Sequence, residues 1–248
     1  MKTQIPKIIH YCWLSGDPYP KLIHHCIESW KKHLPDYKLM LWDTHQIDIY
    51  QTAWLKESFE TKKYAFAADY IRFYALYHHG GIYLDSDVEV KKSFNDLLSY
   101  RSFFGMETSG DPEAAIIGTI PGEDWTQKMV NYYENKKFIQ PNGSYDMEPL
   151  PLKLANTLQD IYHIQLKYNN LKFIAPDFPV FPSSFFSPKN IHTKKIEYHP
   201  DTYAIHHFDG SWVTQTGVRR LKNLIHKLIL LSVGPKIHRC IVKLRRND

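Results

Sequence analysis

Apolar residues follow two different patterns in the first sixty positions, and each pattern predicts a different element. Ile5–Trp13 and Tyr37–Trp42 are short apolar runs rich in strand-forming residues, which predict two strands. Between them, Lys21–His33 repeats apolar residues at spacings of three and four, which predicts an amphipathic helix. Thr44–Thr61 is mixed and predicts short helices. A strand that runs directly into the turn-rich loop Leu14–Pro20 is typical of the edge of a nucleotide-binding α/β domain.

The stretch Tyr64–Val90 carries the clearest change of pattern in the chain. Its first part repeats apolar residues at helical spacing and predicts a helix. Two glycines, Gly80 and Gly81, follow, and they end the helix because glycine tolerates a positive φ. Ile82–Leu84 is too short for a helix and is rich in strand formers, so it predicts a strand that ends at an Asp-Ser-Asp sequence.

The second half of the chain contains fewer regular patterns. Residues 178–188 are punctuated by prolines and aromatic residues, which predicts an irregular wall rather than a strand or helix. The other predicted elements are the strands Arg101–Glu107 and Ala114–Ile120 with a turn at Gly110–Pro112, the helices Asp124–Tyr133 and Leu152–Leu158, and a short strand that opens Ala204–Trp212.

The spacing of Asp85 and Asp87 suggests a chemistry. Residues two apart in an extended chain point to the same face, so we expect both carboxylates on one side and Ser86 on the other. Two like charges at that distance repel each other unless a cation lies between them. A hard divalent cation, bound by carboxylates and by the phosphates of a substrate, meets that need. The alternative is a solvated acidic turn, because Asp-x-Asp is a common sequence.

Composition limits the class of protein. The 248 residues are enough for a full core, and 15% of them are aromatic, as is common where sugars or flat ligands bind. Three scattered cysteines argue against a disulfide framework and indicate a reducing compartment, and the 14 histidines form no zinc-site spacing with them. The N-terminus has no signal-peptide pattern and no stretch reaches the length of a membrane span, so we expect a cytoplasmic protein.

The positive charge of the chain is concentrated at its end. Ser211–Asp248 holds nine of the 31 lysines and arginines and one of the 26 acidic residues, although the whole chain has a net charge of +5. Val218–Ser232 and Lys236–Arg246 each place apolar residues opposite basic ones at helical spacing. Basic amphipathic helices of this kind bind anionic membrane surfaces. A C-terminal helix that packs on the body is the alternative, and neither interpretation requires nucleic acid as a partner.

Three sequences together resemble one family of enzymes: IPKIIHYCW at the start, AFAADYIRFYALYHHGGIYLDSDVEV in the middle and AIHHFDGSW near the end. They are similar to the DXD-motif glycosyltransferases of family 32, to which the yeast initiating α-mannosyltransferase belongs, and to the glucosyltransferase domains of clostridial toxins. The resemblance covers about residues 5 to 212. It implies a GT-A fold with a mixed central sheet, which we assign to residues 1–212, and the basic tail of residues 213–248 lies outside the resemblance. The resemblance further implies a nucleotide-sugar donor, Mn²⁺ or Mg²⁺, and retention of anomeric configuration.

The resemblance also implies roles for residues around the central motif. Asp85 and Asp87 are the DXD pair that binds the metal. Asp69 and Arg72 match residues that touch the sugar and phosphate of the donor, with a simple i,i+3 salt bridge as the alternative. Tyr83 matches a tyrosine that contacts the donor, although it fits a place in the core of the strand equally well. Trp13 matches a tryptophan that stacks on the base, and the resemblance favours this role over a place in the core.

The C-terminal motif implies the rest of the site. We expect His207 to be the third metal ligand and His206, on the opposite face of an extended chain, to lie in the core. Asp209 is the rival ligand. Ser211 and Trp212 are expected to close over the β-phosphate of the donor, although Trp212 also fits the role of a core anchor. Asp146 and Glu148 are candidates for contacts to the acceptor.

These expectations define one function and two alternatives. The main hypothesis is a cytoplasmic hexosyltransferase that takes a UDP- or GDP-linked sugar to a glycan or lipid-linked acceptor at the membrane, as in capsule or lipopolysaccharide synthesis. One alternative is a haloacid-dehalogenase-like phosphohydrolase with Asp85 as nucleophile, although Glu89 stands where that motif requires threonine or valine. The other alternative is a peripheral membrane protein that binds sugar nucleotides without catalysis.

Overall fold

The computed structural model describes residues 4–167, 169–190 and 193–209. A mixed sheet runs through the protein, and a two-stranded ribbon packs beside it. The strands are β1 (Ile8–Cys12), β2 (Lys38–Trp42), β3 (Gly81–Leu84), β4 (Val88–Val90), β5 (Ser102–Met106), β6 (Pro112–Thr119), β7 (Lys172–Ala175), β8 (Phe178–Phe181) and β9 (Ala204–His206).

Helices cover both faces of the sheet. One apolar core lies on the face covered by the second to fifth helices, and another lies on the face covered by the first helix, the ribbon and the short last helix. This is the layered arrangement that buries both faces of a largely interior sheet. The helices are α1 (Lys21–His33), α2 (Ala53–Glu60), α3 (Tyr64–His79), α4 (Asp124–Glu134), α5 (Leu150–Tyr162) and α6 (Ser183–Phe186).

The order of strands in the main sheet is β2-β1-β3-β6-β5-β8-β7. β1 is parallel to both β2 and β3, whereas β6 is antiparallel to both β3 and β5. The predicted α/β fold with a mixed central sheet is confirmed. Because β1 and β3 are parallel neighbours, their carboxyl ends meet at one edge of the sheet, and both motifs predicted to bind the donor lie there.

The predicted helix–glycine–strand unit is confirmed almost to the residue. α3 ends at Gly80, which has φ 61°. A Cβ at this position would lie 2.6 Å from Cδ of Pro121, so both conformation and space require glycine. β3 then starts at Gly81 and is completely buried.

The ribbon of β4 and β9 places the last described strand beside a strand from the first half of the chain. Its antiparallel register pairs Val88 with His206 and Val90 with Ala204. The indole of Trp30 on α1 donates a hydrogen bond of 2.7 Å to the carbonyl of Val88, and the hydroxyl of Ser29 accepts one from the amide of Val90. The ribbon is therefore held against α1 immediately after the Asp-Ser-Asp sequence.

The prediction of an irregular wall at residues 178–188 is wrong. Phe178–Phe181 forms β8, between β5 and β7, and α6 follows at once. Pro179 lies opposite Phe173, where β7 has a register irregularity before Ala175. A bulge of this kind leaves room for a residue that cannot donate to the ladder, and it lets proline occur within a sheet.

Several predictions fall outside the residues that the structure describes. They are the roles of Ser211 and Trp212, the basic tail of residues 213–248 and the domain boundary between residues 212 and 213. Within the described ranges, no helix combines the length and the apolar character that crossing a bilayer requires.

Close packing between β6 and its neighbours gives a test of the sheet that supports the site. Gly118 faces Phe103, and a Cβ there would lie 2.1 Å from Cε1 of that ring. We expect Gly118→Ala to lower the free energy of unfolding by about 1–3 kcal/mol, because the added methyl overpacks the core. Denaturant titration measures this loss. In a Phe103→Leu background the methyl has more room, so a loss of the same size there would contradict the packing argument.

Candidate active site

The two aspartates after β3 lie in a tight turn. The amide of Asp85 still donates to the carbonyl of Ala115 at 2.9 Å, but the amide of Val88 then donates back to the carbonyl of Asp85 at 3.0 Å. The two carboxylates do lie together, as expected, but the expected cause, an extended chain, is wrong. A four-residue turn brings Asp85 and Asp87 together instead.

Arg72 holds the first aspartate from the protein interior. Its guanidinium is buried, and Nη2 donates to Oδ1 of Asp85 at 2.9 Å while Nη1 donates to the carbonyl of Ala114. The guanidinium carbon lies 4.4 Å from the ring centroid of Tyr83. Arg72 therefore connects α3 to the turn and to β6, and it restricts the orientation of the Asp85 carboxylate.

Asp69 lies one helical turn before Arg72, as its spacing predicts. Its Oδ1 is 3.7 Å from Nη2 of Arg72, and its side chain is only 10% exposed. Burial raises the pKa of Asp69 to about 7, although Arg72 and Lys153 act to lower it. Burial also raises the pKa of Asp85, against the lowering effect of Arg72.

His206, not His207, faces the aspartates. Nε2 of His206 lies 3.4 Å from Oδ1 of Asp87, whereas Nε2 of His207 lies 3.0 Å from Oε2 of Glu89. The two histidines do point to opposite faces, as an extended chain requires, but the expected assignment is reversed. The cause is the register of β4 with β9, because it sets which face of the last strand meets the turn.

The residues after β9 hold Asp87 from the other side. The amide of Asp209 donates to Oδ2 of Asp87 at 2.8 Å, and the amide of His207 donates to its carbonyl at 3.1 Å. Burial alone would raise the pKa of Asp87, but the charge and hydrogen bond of His206 and the hydrogen bond from the Asp209 amide outweigh it and lower the pKa to about 2. Asp209 thus contributes its backbone amide to Asp87.

Glu113 supports His206 and was not predicted from the sequence. Its Oε2 lies 3.2 Å from Nδ1 of His206 and accepts a hydrogen bond of 2.6 Å from the hydroxyl of Ser187. Its Oε1 accepts from the amide of Ala115 at 2.8 Å. With a carboxylate at each ring nitrogen, His206 donates from Nδ1 to Glu113 and from Nε2 to Asp87 in its protonated form. Once Nε2 loses its proton, the bond from Nδ1 to Glu113 would keep the Nε2 lone pair directed towards a cation. The one sequence signal for Glu113 is its position as an acidic residue at the start of an apolar strand.

The donor set fits a divalent cation. Within the described ranges, Asp85, Asp87 and His206 form the one cluster of three such side chains whose ligand atoms all lie within 4.8 Å of one another. Two carboxylates and one imidazole suit an ion that accepts both oxygen and nitrogen ligands, such as Mn²⁺. Three protein ligands leave coordination positions for phosphate oxygens. Burial lowers the pKa of His206, but Glu113 and Asp87 outweigh it and hold that pKa well above its usual value, so a cation would compete with a proton here.

The other predicted residues lie in two groups. Trp13 follows β1 at the same sheet edge, half buried, and its Nε1 donates to the carbonyl of Asp17 at 2.7 Å. Tyr83 is fully buried beneath Arg72, so its contact in this structure is with that guanidinium. Asp146 lies away from the turn, with Oδ1 3.4 Å from Nζ of Lys153, and Glu148 is exposed.

Comparison with known proteins shows which family this chain resembles. Residues 20–104 match the model of a glycosyltransferase sugar-binding region containing the DXD motif. In this region the chain is similar to the DXD-motif glycosyltransferases. The matched region ends within β5, and it contains the glycine-bounded unit, the turn with Asp85 and Asp87, and Arg72. Members of this family generally use a divalent metal and a nucleotide sugar.

Proteins similar to this chain occur in yeast and in a giant virus. Mannosyl phosphorylinositol ceramide synthase SUR1 of Saccharomyces cerevisiae is 29% identical over 145 residues, which are 54% of this chain and 37% of that protein. The chain therefore spans little more than a third of the length of this yeast relative. The uncharacterized glycosyltransferase L373 of Acanthamoeba polyphaga mimivirus is 24% identical over 220 residues, which are 84% of each. Among solved structures, the PaToxG glycosyltransferase is 19% identical, with a TM-score of 0.48 over 64% of this chain and 69% of that one.

The geometry predicts which histidine matters for the cation. We expect His206→Ala to weaken Mn²⁺ binding about tenfold or more, because it removes one of three ligand groups. His207→Ala is the matched control, and it should leave Mn²⁺ affinity unchanged because His207 faces Glu89. Titration calorimetry with MnCl₂ measures both. A larger loss in the His207 variant would restore the assignment expected from the sequence.

The hydrogen bond from Glu113 predicts a coupling between two residues. We expect Glu113→Gln to weaken Mn²⁺ binding about tenfold, which is the lower end of the range for residues that support a metal ligand. In a His206→Ala background the same substitution should have no further effect on Mn²⁺ affinity. Independent, additive effects would indicate that Glu113 acts on the fold rather than through His206.

Proposed function

We propose that this protein is a metal-dependent glycosyltransferase that moves a hexose from a UDP- or GDP-linked donor to a glycan or lipid-linked acceptor. The observation that carries the proposal is the convergence of Asp85, Asp87 and His206 at the sheet edge where parallel β1 and β3 end. The similarity to the family supports the same conclusion, because the matched region includes both aspartates. Mn²⁺ is the ion we propose, with Mg²⁺ as the alternative.

Each side chain of the site has a role in this proposal. Asp85, Asp87 and His206 would hold the divalent cation. A bound cation of this kind supplies positive charge against a pyrophosphate whose negative charge grows as the sugar leaves. Arg72 orients Asp85 through its 2.9 Å hydrogen bond. Glu113 orients His206 in the same way.

The groups that would contact the donor lie on either side of this cluster. Asp69 and the guanidinium of Arg72 face the interior side, where we propose that the hexose binds. Trp13 is on the neighbouring strand end and offers an aromatic face for the nucleoside base. Tyr83 supports Arg72 from beneath. We propose that Ser211 and Trp212, just beyond the described residues, complete the phosphate side.

The proposed transfer retains the anomeric configuration. The acceptor hydroxyl attacks the anomeric carbon on the side of the leaving group and gives its proton to the departing phosphate oxygen. The bond from carbon to phosphate oxygen breaks as the new glycosidic bond forms, so no protein base is needed. The supporting feature is that the carboxylates of Asp85, Asp87 and Glu113 are already engaged by Arg72, His206 and Ser187 respectively, so none of the three is available as a dedicated base.

The donor, the acceptor and the cellular location are proposed from the sequence and from a relative. The name of SUR1 includes a mannosyl group and a ceramide, which makes GDP-mannose a candidate donor and a lipid-linked molecule a candidate acceptor. The basic residues of the segment 211–248 suit an anionic membrane surface. We therefore propose a cytoplasmic protein at the inner face of the membrane, with bacterial capsule or lipopolysaccharide synthesis as the pathway class.

A phosphohydrolase that uses Asp85 as nucleophile is a weaker candidate. A nucleophile needs a free carboxylate oxygen and a general acid nearby. Arg72 engages one oxygen of Asp85, and the neighbouring Asp87 has a pKa of about 2, which makes it a poor general acid. Steady phosphate release from p-nitrophenyl phosphate would favour this candidate. A protein that binds sugar nucleotides without turnover is the other candidate, and the next experiment distinguishes it.

Donor hydrolysis tests the proposed function directly. UDP-glucose, UDP-galactose, UDP-N-acetylglucosamine and GDP-mannose are incubated with the protein and MnCl₂, and free UDP or GDP is measured. We expect turnover of at least one donor, its loss in EDTA, and a fall of about 100-fold or more in Asp87→Asn, because that change removes a charged cation ligand. NMR of the released sugar gives its anomeric configuration.

The matched control for that experiment is Asp36→Asn. Asp36 is an exposed aspartate in the loop between α1 and β2, where it pairs with Lys7. The Asp36→Asn substitution should leave turnover unchanged. Full activity of the Asp87 variant, or equal turnover in EDTA, would contradict the assigned site. Metal-dependent binding of a donor without turnover, with or without sugar acceptors, would favour the non-catalytic candidate.

A further inference from the structure

Three buried polar atoms close to Asp69 have no hydrogen-bond partner. They are Nε of Arg72, the hydroxyl of Tyr133 and Nζ of Lys153, and they are the only such buried side-chain atoms in the part of the chain that the structure describes. A buried donor or acceptor without a partner destabilises the fold, because it has lost its hydrogen bonds to water and gained none in return. Native proteins contain few of these atoms, and their concentration at one place indicates a functional reason.

Lys153 is the most unusual of the three residues. It lies on α5 between apolar neighbours, its residue is 2% exposed, and its Nζ is 4.4 Å from the ring centroid of Trp54. Its ammonium is 3.4 Å from Oδ1 of Asp146, which gives one ion pair but leaves its other donors without an acceptor. Burial of a lysine is costly and is rarely retained for packing alone.

Tyr133 lies beside this lysine on α4. Its ring centroid is 5.6 Å from Nζ of Lys153 and 4.9 Å from the ring centroid of Trp54. Asp69 and Arg72 are near enough to act on the pKa of the Tyr133 hydroxyl, which burial raises well above its usual value. The polar atoms of α3, α4 and α5 therefore lie together, and the cluster continues through Arg72 to Asp85.

The mixture of charges indicates a neutral, hydroxylated ligand. Lys153 and Arg72 offer donors, Asp69 offers acceptors, and the Tyr133 hydroxyl can do both. Asp69 and Asp146 balance the positive charges, so an anionic ligand would gain little here. A sugar hydroxyl both donates and accepts, and it can satisfy a donor and an acceptor at the same time. Asp69, with 10% of its side chain exposed, marks the side from which such a hydroxyl would enter.

We propose that Lys153 and Tyr133 are specificity-determining residues, which together with Asp69 bind a hydroxyl of the donor hexose and discriminate between hexoses. The proposal rests on the proposed function, because it places the hexose of the nucleotide sugar next to the cation cluster. It adds two residues that lie outside the DXD motif and outside the matched region of residues 20–104. A site built to hydrogen-bond a hydroxyl rejects analogues that lack it, because its own polar groups then stay unpaired.

Affinity for the sugar, measured apart from affinity for the nucleotide, tests the proposal. Calorimetry with MnCl₂ compares UDP and GDP with UDP-glucose, UDP-galactose, UDP-N-acetylglucosamine and GDP-mannose. For the donor that binds most tightly, we expect Tyr133→Phe to weaken binding about 3- to 10-fold and Lys153→Met about tenfold or more. Both variants should bind the matching nucleoside diphosphate as the unaltered protein does. Discrimination among the hexoses should decrease in both.

Tyr132→Phe is the matched control, because it removes a hydroxyl from the same helix. That hydroxyl already accepts a hydrogen bond of 2.8 Å from Lys136 at the surface, so donor affinity should not change. Tyr133→Phe also separates this proposal from a structural role. Loss of an unpartnered buried hydroxyl should leave the melting temperature unchanged or raise it, so weaker sugar binding in a stable variant supports recognition.

The outcomes distinguish this inference from the proposed function. If the sugar nucleotides bind and neither Tyr133→Phe nor Lys153→Met changes the affinity ratio of sugar nucleotide to nucleoside diphosphate, the inference is wrong and the cluster holds water or serves the fold. If the unaltered protein binds no nucleotide and no nucleotide sugar, the proposed function and this inference both fail. A change in the ratio for Tyr133→Phe alone is sufficient support if Lys153→Met does not fold.

Discussion

Two carboxylates that repel each other stand within a few ångströms at the end of a buried strand, and the surrounding structure balances them. Asp85 is held from the interior by Arg72, and Asp87 is held from the other side by His206 and the amide of Asp209. The cations come from a helix that precedes the strand and from a strand near the end of the described chain. Each supplies charge that would otherwise have to come from a bound ion or a proton.

This balance explains why the fold is connected as it is. α3 must be tied closely to β3 for Arg72 to reach Asp85, and the two glycines make that reversal possible within two residues. The ribbon of β4 and β9 must pair in one register for His206 to face the turn. Trp30 and Ser29 of α1 hold that ribbon through its backbone. Elements distant in sequence therefore act on one small volume.

The sequence predicted what depends on local pattern. The helix–glycine–strand unit, the first helix and the mixed α/β class follow from periodicity and from the conformational freedom of glycine, and the structure confirms them. The choice between His206 and His207 depended on a strand pairing more than a hundred residues away, and alternation alone could not supply it. The support from Glu113 and the burial of Lys153 depend on tertiary packing in the same way. β8 was missed because a bulge in its neighbour makes a proline acceptable within the sheet.

The most direct measurement is a crystal structure of the protein with MnCl₂ and UDP or GDP, with anomalous data collected at the manganese edge. The account predicts an anomalous peak between the carboxylates of Asp85 and Asp87 and Nε2 of His206, with the nucleotide phosphates on the same ion. A peak elsewhere, or a nucleotide bound away from this turn, would contradict it.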